Sequence, residues 1–180
     1  MKLAILALWA IGAAAQPSVR ASIEPVSERQ PAPALDLRDS NGKLATLQQY
    51  RGKVVLLDFW ATWCTGCKQE IPWFTEFQKK FGTKDFAVVG VSLDEGGWGV
   101  LKPFLAKSRI PYRMLLGDDQ TAKRYAIENM PDTFLIDSQG KIAAAYRAGL
   151  VDRENIEANI RALLRKPNQA TGPPPRGDEN

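Results

Sequence analysis

This sequence predicts an α/β fold, a sandwich of helices around a mixed central β-sheet, on three observations. The runs 54–60 and 86–93 are almost continuously apolar, as strands covered on both faces of a sheet are. Segments of helical spacing alternate with them: Ile71, Phe74, Phe77 and Phe81 share one helix face, and Ile156, Ile160, Leu163 and Leu164 another. The turn sequences Asp39-Ser40-Asn41-Gly42 and Ser138-Gln139-Gly140 each join two short strand-like runs, so antiparallel hairpins are added to that alternation.

Taken in order, Met1-Lys2 supplies a positive start, Leu3 to Gly12 an apolar stretch and Ala13-Ala14-Ala15 a small-residue cleavage site before Gln16. Residues 1–15 therefore read as a signal peptide. Its apolar stretch of about 13 residues is shorter than the roughly 20 that span a bilayer, which favours cleavage over a retained anchor. Export puts the protein where disulfides persist, in the periplasm or another extracytoplasmic space, soluble once the signal is removed. Residues 16–33 hold four prolines and no periodicity, and read as a flexible lead-in. The folded domain occupies 34–166. Residues 167–180, with Gly172-Pro173-Pro174-Pro175, read as a disordered tail.

Within the domain, 34–38 and 43–47 form the first hairpin, and 47–50 a short helical turn. Arg51-Gly52-Lys53 leads into the strand at 54–60. A helix runs from Cys64 to Phe81, kinked by Pro72, whose ring blocks a backbone bond. After the strand at 86–93, Glu95-Gly96-Gly97 breaks the chain ahead of a helix near 98–109. Pro103 must sit in the first turn of that helix or kink it. A strand at 112–116, a helix at 119–125 and a hairpin from 133–137 and 141–147 follow. Asp152 then caps the last helix.

Composition narrows the function. The formal net charge is +4, and basic residues such as Lys79-Lys80 and Lys123-Arg124 are scattered over helices rather than gathered in a block, so nucleic acid is not expected as a partner. There is no histidine, which excludes Cys–His nucleophilic catalysis and histidine ligation of metal or haem.

The only two cysteines, Cys64 and Cys67, lie in Trp-Cys-Thr-Gly-Cys-Lys, where the strand 54–60 hands over to a helix. The first sulfur falls at the helix N-terminus, where unpaired N–H groups and the macrodipole favour a thiolate. The second lies one turn further in, as a resolving thiol. A zinc site would need about four ligands, more than this chain offers without histidine. A static disulfide staple usually closes a longer loop. Two carboxylates stand near the pair. Glu70 follows Cys67 by one helical turn and faces the same side. Asp58 interrupts an otherwise apolar strand, where an ionised carboxylate is costly, so burial should raise its pKa and suit it as the proton acceptor for Cys67. Glu70 is expected nearer solvent, acting more on the thiol pKa values than as the base. Each also has a plain structural alternative: a hydrogen-bonded buried acid for Asp58, a surface helix residue for Glu70.

Three blocks carry a family resemblance: Asp-Ser-Asn-Gly-Lys at 39–43, the run from Arg51 through Cys64 and Cys67 to Pro72, and 129–142 around Met130-Pro131. Over residues 33–165 the chain resembles the TlpA/ResA-type thioredoxin family of exported thiol–disulfide oxidoreductases, which includes cytochrome c maturation reductases. The resemblance implies a thioredoxin-like sandwich with an N-terminal β-hairpin and a helix and strand inserted at 95–125. Cys64 then matches the exposed attacking cysteine and Cys67 the buried resolving one, while Trp63 matches the aromatic that shields the dithiol. Pro131 matches a cis-proline facing the disulfide, leaving the backbone of Met130 to pair with an extended substrate. On residues alone, Pro131 reads as an ordinary proline before a strand. Glu70 matches the acid of the family's C-x-x-C-x-x-E-x-P pattern, and Asp58 the buried aspartate of thioredoxin itself. Asp132 departs from the threonine or serine frequent at its position.

The expected chemistry is reduction of disulfides in cysteine-containing exported proteins, with cytochrome c maturation as one setting and a membrane-bound thiol donor restoring the dithiol. No metal or organic cofactor is required. Three alternatives remain. The first is an oxidase of the same fold, although Thr65-Gly66 places no charge between the cysteines to stabilise a thiolate strongly. A thiol peroxidase would want a threonine- and arginine-lined cysteine pocket, and a copper-site assembly protein a histidine ligand.

Overall fold

Apolar strand residues alternate between two sheet faces, and the sheet they build has seven strands in the order β2-β1-β5-β4-β3-β6-β7. The computed structural model describes residues 18–82 and 85–165. The expected signal peptide at 1–15 and the expected disordered tail at 167–180 lie outside the described residues.

β3 (Val54–Trp60) is central, parallel to β4 (Phe86–Ser92) and antiparallel to β6 (Asp132–Ile136). β4 pairs in parallel with β5 (Arg113–Leu116), and β1 (Asp36–Asp39) joins β5 antiparallel, carrying β2 (Leu44–Thr46) on its far side. β7 (Ile142–Tyr146) closes the other edge against β6. All seven residues of β3 are buried, as a strand covered on both sides requires. Val54, Leu56 and Trp60 face one core, with Phe74 and Phe77 of α1 (Thr65–Phe81), Leu101 of α2 (Gly97–Ser108) and Ile156 and Ile160 of α4 (Arg153–Leu164). Val55, Leu57 and Phe59 face a second core holding Leu35, Val89, Phe134 and Tyr125, the last at the end of α3 (Asp119–Arg124). By that alternation Asp58 points toward α1.

The turn at 47–50 is a 3-10 helix, and Asp152 caps α4 by accepting the Asn155 N–H at 2.9 Å. Pro72 and Pro103 both lie in helix interiors, so Pro103 is not in the first turn of α2.

Residues 18–33, part of the segment expected to be a flexible lead-in, have almost no regular structure of their own but are tied to the domain. The Glu24 N–H donates to the Ala143 carbonyl at 2.8 Å, and the Ala32 N–H to Gly140 at 3.0 Å. The Ile142 N–H donates to the Gln30 carbonyl at 2.9 Å. These bonds occupy backbone groups along the outer edge of β7 that would otherwise be open to another strand. Hydropathy periodicity is blind to them because they are main-chain contacts.

Candidate active site

β3 ends at Trp60, and the chain turns through Ala61-Thr62-Trp63 into α1. The turn is held from the neighbouring strand end: the Asp94 carboxylate accepts from the Thr62 N–H at 3.0 Å, the Thr62 hydroxyl at 2.6 Å and the Ser92 hydroxyl at 2.7 Å. Cys64 is the N-cap of α1. Its Sγ accepts the Cys67 N–H at 3.1 Å, one of the free donors that a helix start offers. No acidic residue lies in the first turn of α1 to oppose a thiolate there. The two sulfurs are joined, with their Cα atoms 5.3 Å apart. Cys64 is 6% exposed and Cys67 0%, so the oxidised pair is covered but asymmetric, with the first sulfur toward solvent.

Trp63, next to Cys64, is 65% exposed. The Met130–Pro131 peptide bond is cis, and Pro131 lies against Gly66 between the two cysteines: a Cβ added at Gly66 would be 3.5 Å from Pro131 Cδ. No hydrogen bond from another described residue engages the backbone of Met130. Pro131 thus lies beside the turn between the two cysteines, and Met130 packs against the core that holds them.

Asp132, beside this proline, is turned to the face of the sheet away from α1. It is 2% exposed, accepts the Ala148 N–H, and pairs with Arg147 at 3.0 Å. That guanidinium packs over Phe134, 4.5 Å from the ring centroid. The Gly149 N–H donates to the Pro131 carbonyl at 3.3 Å, so the loop after β7 and the proline turn brace each other.

Two acids are buried on the same side of the sheet as Cys67. Asp58 sits in a row across the sheet between Thr133 and Gly90. A Cβ at Gly90 would meet Met114 Sδ at 2.4 Å and Trp60 Nε1 at 3.2 Å, so the glycine gives these side chains room beside the carboxylate. Asp58 Oδ1 accepts only a long bond of 3.4 Å from the Thr133 hydroxyl, and Oδ2 has no protein partner. Glu70 corrects the expectation of a site nearer solvent: it is 0% exposed, with Oε1 accepting the Val151 N–H at 2.7 Å and Oε2 unpaired. The inward face of α1 that carries Cys67 carries Glu70 with it, and Val151 closes over that face.

Burial raises Asp58 to about 7, Thr133 opposing weakly. Glu70 is raised to about 9 by burial first and by the Asp58 charge second, with the Val151 N–H pulling the other way. The two titrate as a pair that holds a proton through the neutral range. Tyr112, just ahead of β5, is pushed up by burial and by both carboxylates, and its hydroxyl has no partner. An acid pair of this kind can both accept and donate a proton near neutral pH.

Asp94, Val151 and Tyr112 are the residues that sequence reasoning missed. The Ser92-x-Asp94 pattern at a strand end was a signal for the first. Val151 acts through its backbone, and Tyr112 reads as an ordinary core aromatic, so neither left a trace.

The chain is 33% identical over 169 residues to the thiol-disulfide oxidoreductase ResA of Bacillus subtilis, an alignment spanning 93% of this chain and 92% of the relative. The thioredoxin-like protein YneN of the same organism is 30% identical over 75% of this chain and 79% of its own. Among solved structures, one from Chlorobium tepidum, assigned as a thiol:disulfide interchange protein DsbE, matches with a TM-score of 0.71 and 36% identity, covering 76% of this chain and 97% of that one. The family model described as AhpC/TSA matches residues 29–145, the stretch that carries the dithiol, both acids and the cis-proline. With most of its length matched in this way, the chain belongs to the AhpC/TSA family and has its thioredoxin-like fold.

Proposed function

We propose that this thiol–disulfide oxidoreductase works as a reductase of disulfides in exported proteins. The observation that carries the reading is the asymmetry of the dithiol: Cys64 Sγ at the helix start receives an N–H, while Cys67 is enclosed on the side of the sheet that buries a proton-holding acid pair. The Cys64 thiolate attacks one sulfur of a substrate disulfide, forming a mixed disulfide and releasing the other sulfur as a thiolate. Cys67 gives its proton to the Asp58–Glu70 pair and attacks Cys64 Sγ, which releases the second substrate sulfur and leaves the enzyme oxidised. Two electrons pass to the substrate. A membrane-bound thiol donor returns them by the reverse exchange. An extended substrate segment would pair with the backbone of Met130 beside Pro131, with Trp63 at its flank.

Residues 1–15 direct export to the periplasm or an equivalent compartment and are removed there. The family resemblance supports haem-pathway apoproteins, those of cytochrome c maturation, as one substrate set. No helix among the described residues is long and apolar enough to cross a membrane.

Trapping in the native host tests the reading. Cys67→Ala should accumulate mixed disulfides between Cys64 and exported cysteine proteins, and rapid thiol labelling of wild-type cells should find the dithiol mostly reduced. A dithiol held oxidised in the cell would instead favour an oxidase. Mass spectrometry of the exported protein should find Gln16 as the first residue, and an intact Met1 would show a retained anchor.

A further inference from the structure

The start of the described chain reaches the buried acids through one residue. Val19 pairs in parallel with Val151: its N–H donates to the Leu150 carbonyl at 2.8 Å, and its carbonyl accepts the Asp152 N–H at 2.7 Å. Backbone groups of successive residues in an extended segment point to opposite sides. With Leu150 and Asp152 engaged by Val19 on one side, the N–H of Val151 is aimed to the other, where Glu70 Oε1 accepts it at 2.7 Å. Residues 150–152 are thus held between the lead-in and a buried carboxylate.

Further bonds fasten the lead-in at this point. Arg20 pairs with Asp152 at 2.8 Å, the Ala21 N–H donates to Asn155 Oδ1 at 2.9 Å, and the Asn159 amide donates to the Ala21 carbonyl at 2.8 Å. Val19 packs against the core that contains Cys64 and Cys67. A Cβ at Gly149 would come within 2.8 Å of Val19 Cγ2, so the loop after β7 is shaped to this contact as well.

We infer that Val19 is a positioning residue for Glu70: by holding residues 150–152 it fixes the Val151 N–H on the carboxylate, so that a segment ahead of the thioredoxin-like domain tunes proton handling at the dithiol. The inference rests on the proposed role of Glu70 in that step. The groups facing Glu70 are Asp58 from β3, Tyr112 from the approach to β5 and the Val151 N–H, with Cys67 one turn back on α1. The charges nearest on the lead-in side, Arg20 and Asp152, pair with each other. The Val151 N–H stabilises the ionised carboxylate, so loosening it makes the acid hold its proton to higher pH.

The test is the pH profile of insulin reduction by the full chain, in the wild-type and Glu70→Gln backgrounds. Val19→Pro removes the donor to Leu150, and combining it with Arg20→Ser removes the ion pair to Asp152 as well. Either change should move the rising limb of the profile up by about one pH unit in the wild-type background, the worth of a hydrogen bond to a charged group. In the Glu70→Gln background the same changes should leave the limb where it is, because the group they act through is gone. Val19→Ile, which keeps both backbone bonds, should behave as wild type and guards against a variant that only unfolds. A shift of equal size in both backgrounds overturns the inference, as does an unmoved limb when Glu70→Gln alone displaces it. If Glu70→Gln itself leaves the profile unchanged, the role proposed for Glu70 fails and the inference falls with it.

Discussion

The two faces of the sheet bury acids in opposite ways. On the face away from α1, Asp132 is met by Arg147 and the Ala148 N–H, and the Tyr125 hydroxyl donates to the Pro33 carbonyl at 2.8 Å. On the face that holds the dithiol, Asp58 Oδ2, Glu70 Oε2, Trp60 Nε1 and the Tyr112 hydroxyl are the four buried side-chain polar atoms without a protein hydrogen bond among the described residues. Adjacent strands supply both patterns: Asp58 on β3 is one residue from Phe59, which pairs in register with Asp132 on β6. An unpaired buried polar atom costs stability, so these four set this face apart from the one whose buried polar groups are paired.

The largest effect should come at the sulfur that opens the reactive face. Cys64→Ser should abolish insulin reduction, while Cys67→Ala should still form mixed disulfides that it cannot resolve. Limited alkylation of the reduced protein should modify Cys64 well before Cys67. Equal labelling of the two would erase the asymmetry on which the assignment stands.

Stability should separate the faces next. Asp58 binds a proton more tightly folded than unfolded, so its contribution is complete below its ordinary pKa of 3.8 and is lost as pH rises through about 7. Asp58→Asn should therefore raise stability on the order of 2–4 kcal/mol at pH 8, with the gain fading toward pH 4, and should slow resolution of the mixed disulfide. Asp132→Ala should do the reverse, lowering stability by about 2 kcal/mol. The loss stays below the roughly 3–5 kcal/mol of a fully enclosed pair, because Arg147 is 44% exposed and retains water. Denaturant melts across pH would decide between them, and matching signs for the two variants would collapse the comparison.

The smallest expected difference is between two tyrosines. Tyr125→Phe removes a satisfied hydrogen bond and should cost about 1 kcal/mol, whereas Tyr112→Phe removes an unpaired hydroxyl and should be neutral or stabilising. A Tyr112→Phe loss as large as that of Tyr125→Phe would mean that its hydroxyl is satisfied in solution.

Much of this was legible in the residue order. Strand and helix positions follow from apolar spacing, because burial on a helix or a strand imposes its own period on the side chains. The dithiol at a strand-to-helix junction follows from two cysteines next to a helix start, and Asp58 announces itself as a charge inside an apolar run. The exposure of Glu70 did not follow. A helical position tells which side a residue faces, but how deeply that side is covered depends on Val151, which lies 81 residues away in the chain. The turned-away carboxylate of Asp132 likewise depends on Arg147 and the loop behind it. The docking of residues 18–33 depends largely on backbone groups, which carry no side-chain pattern to read, and on ion pairs such as Arg20 to Asp152 whose partners are far apart in the chain. By itself the sequence determined the elements, the fold class and the place of the dithiol, since these depend on local spacing and local chemistry. Which buried acids are paired and which are left open was decided only by tertiary contact, because a hydrogen-bond partner is a matter of distance in space.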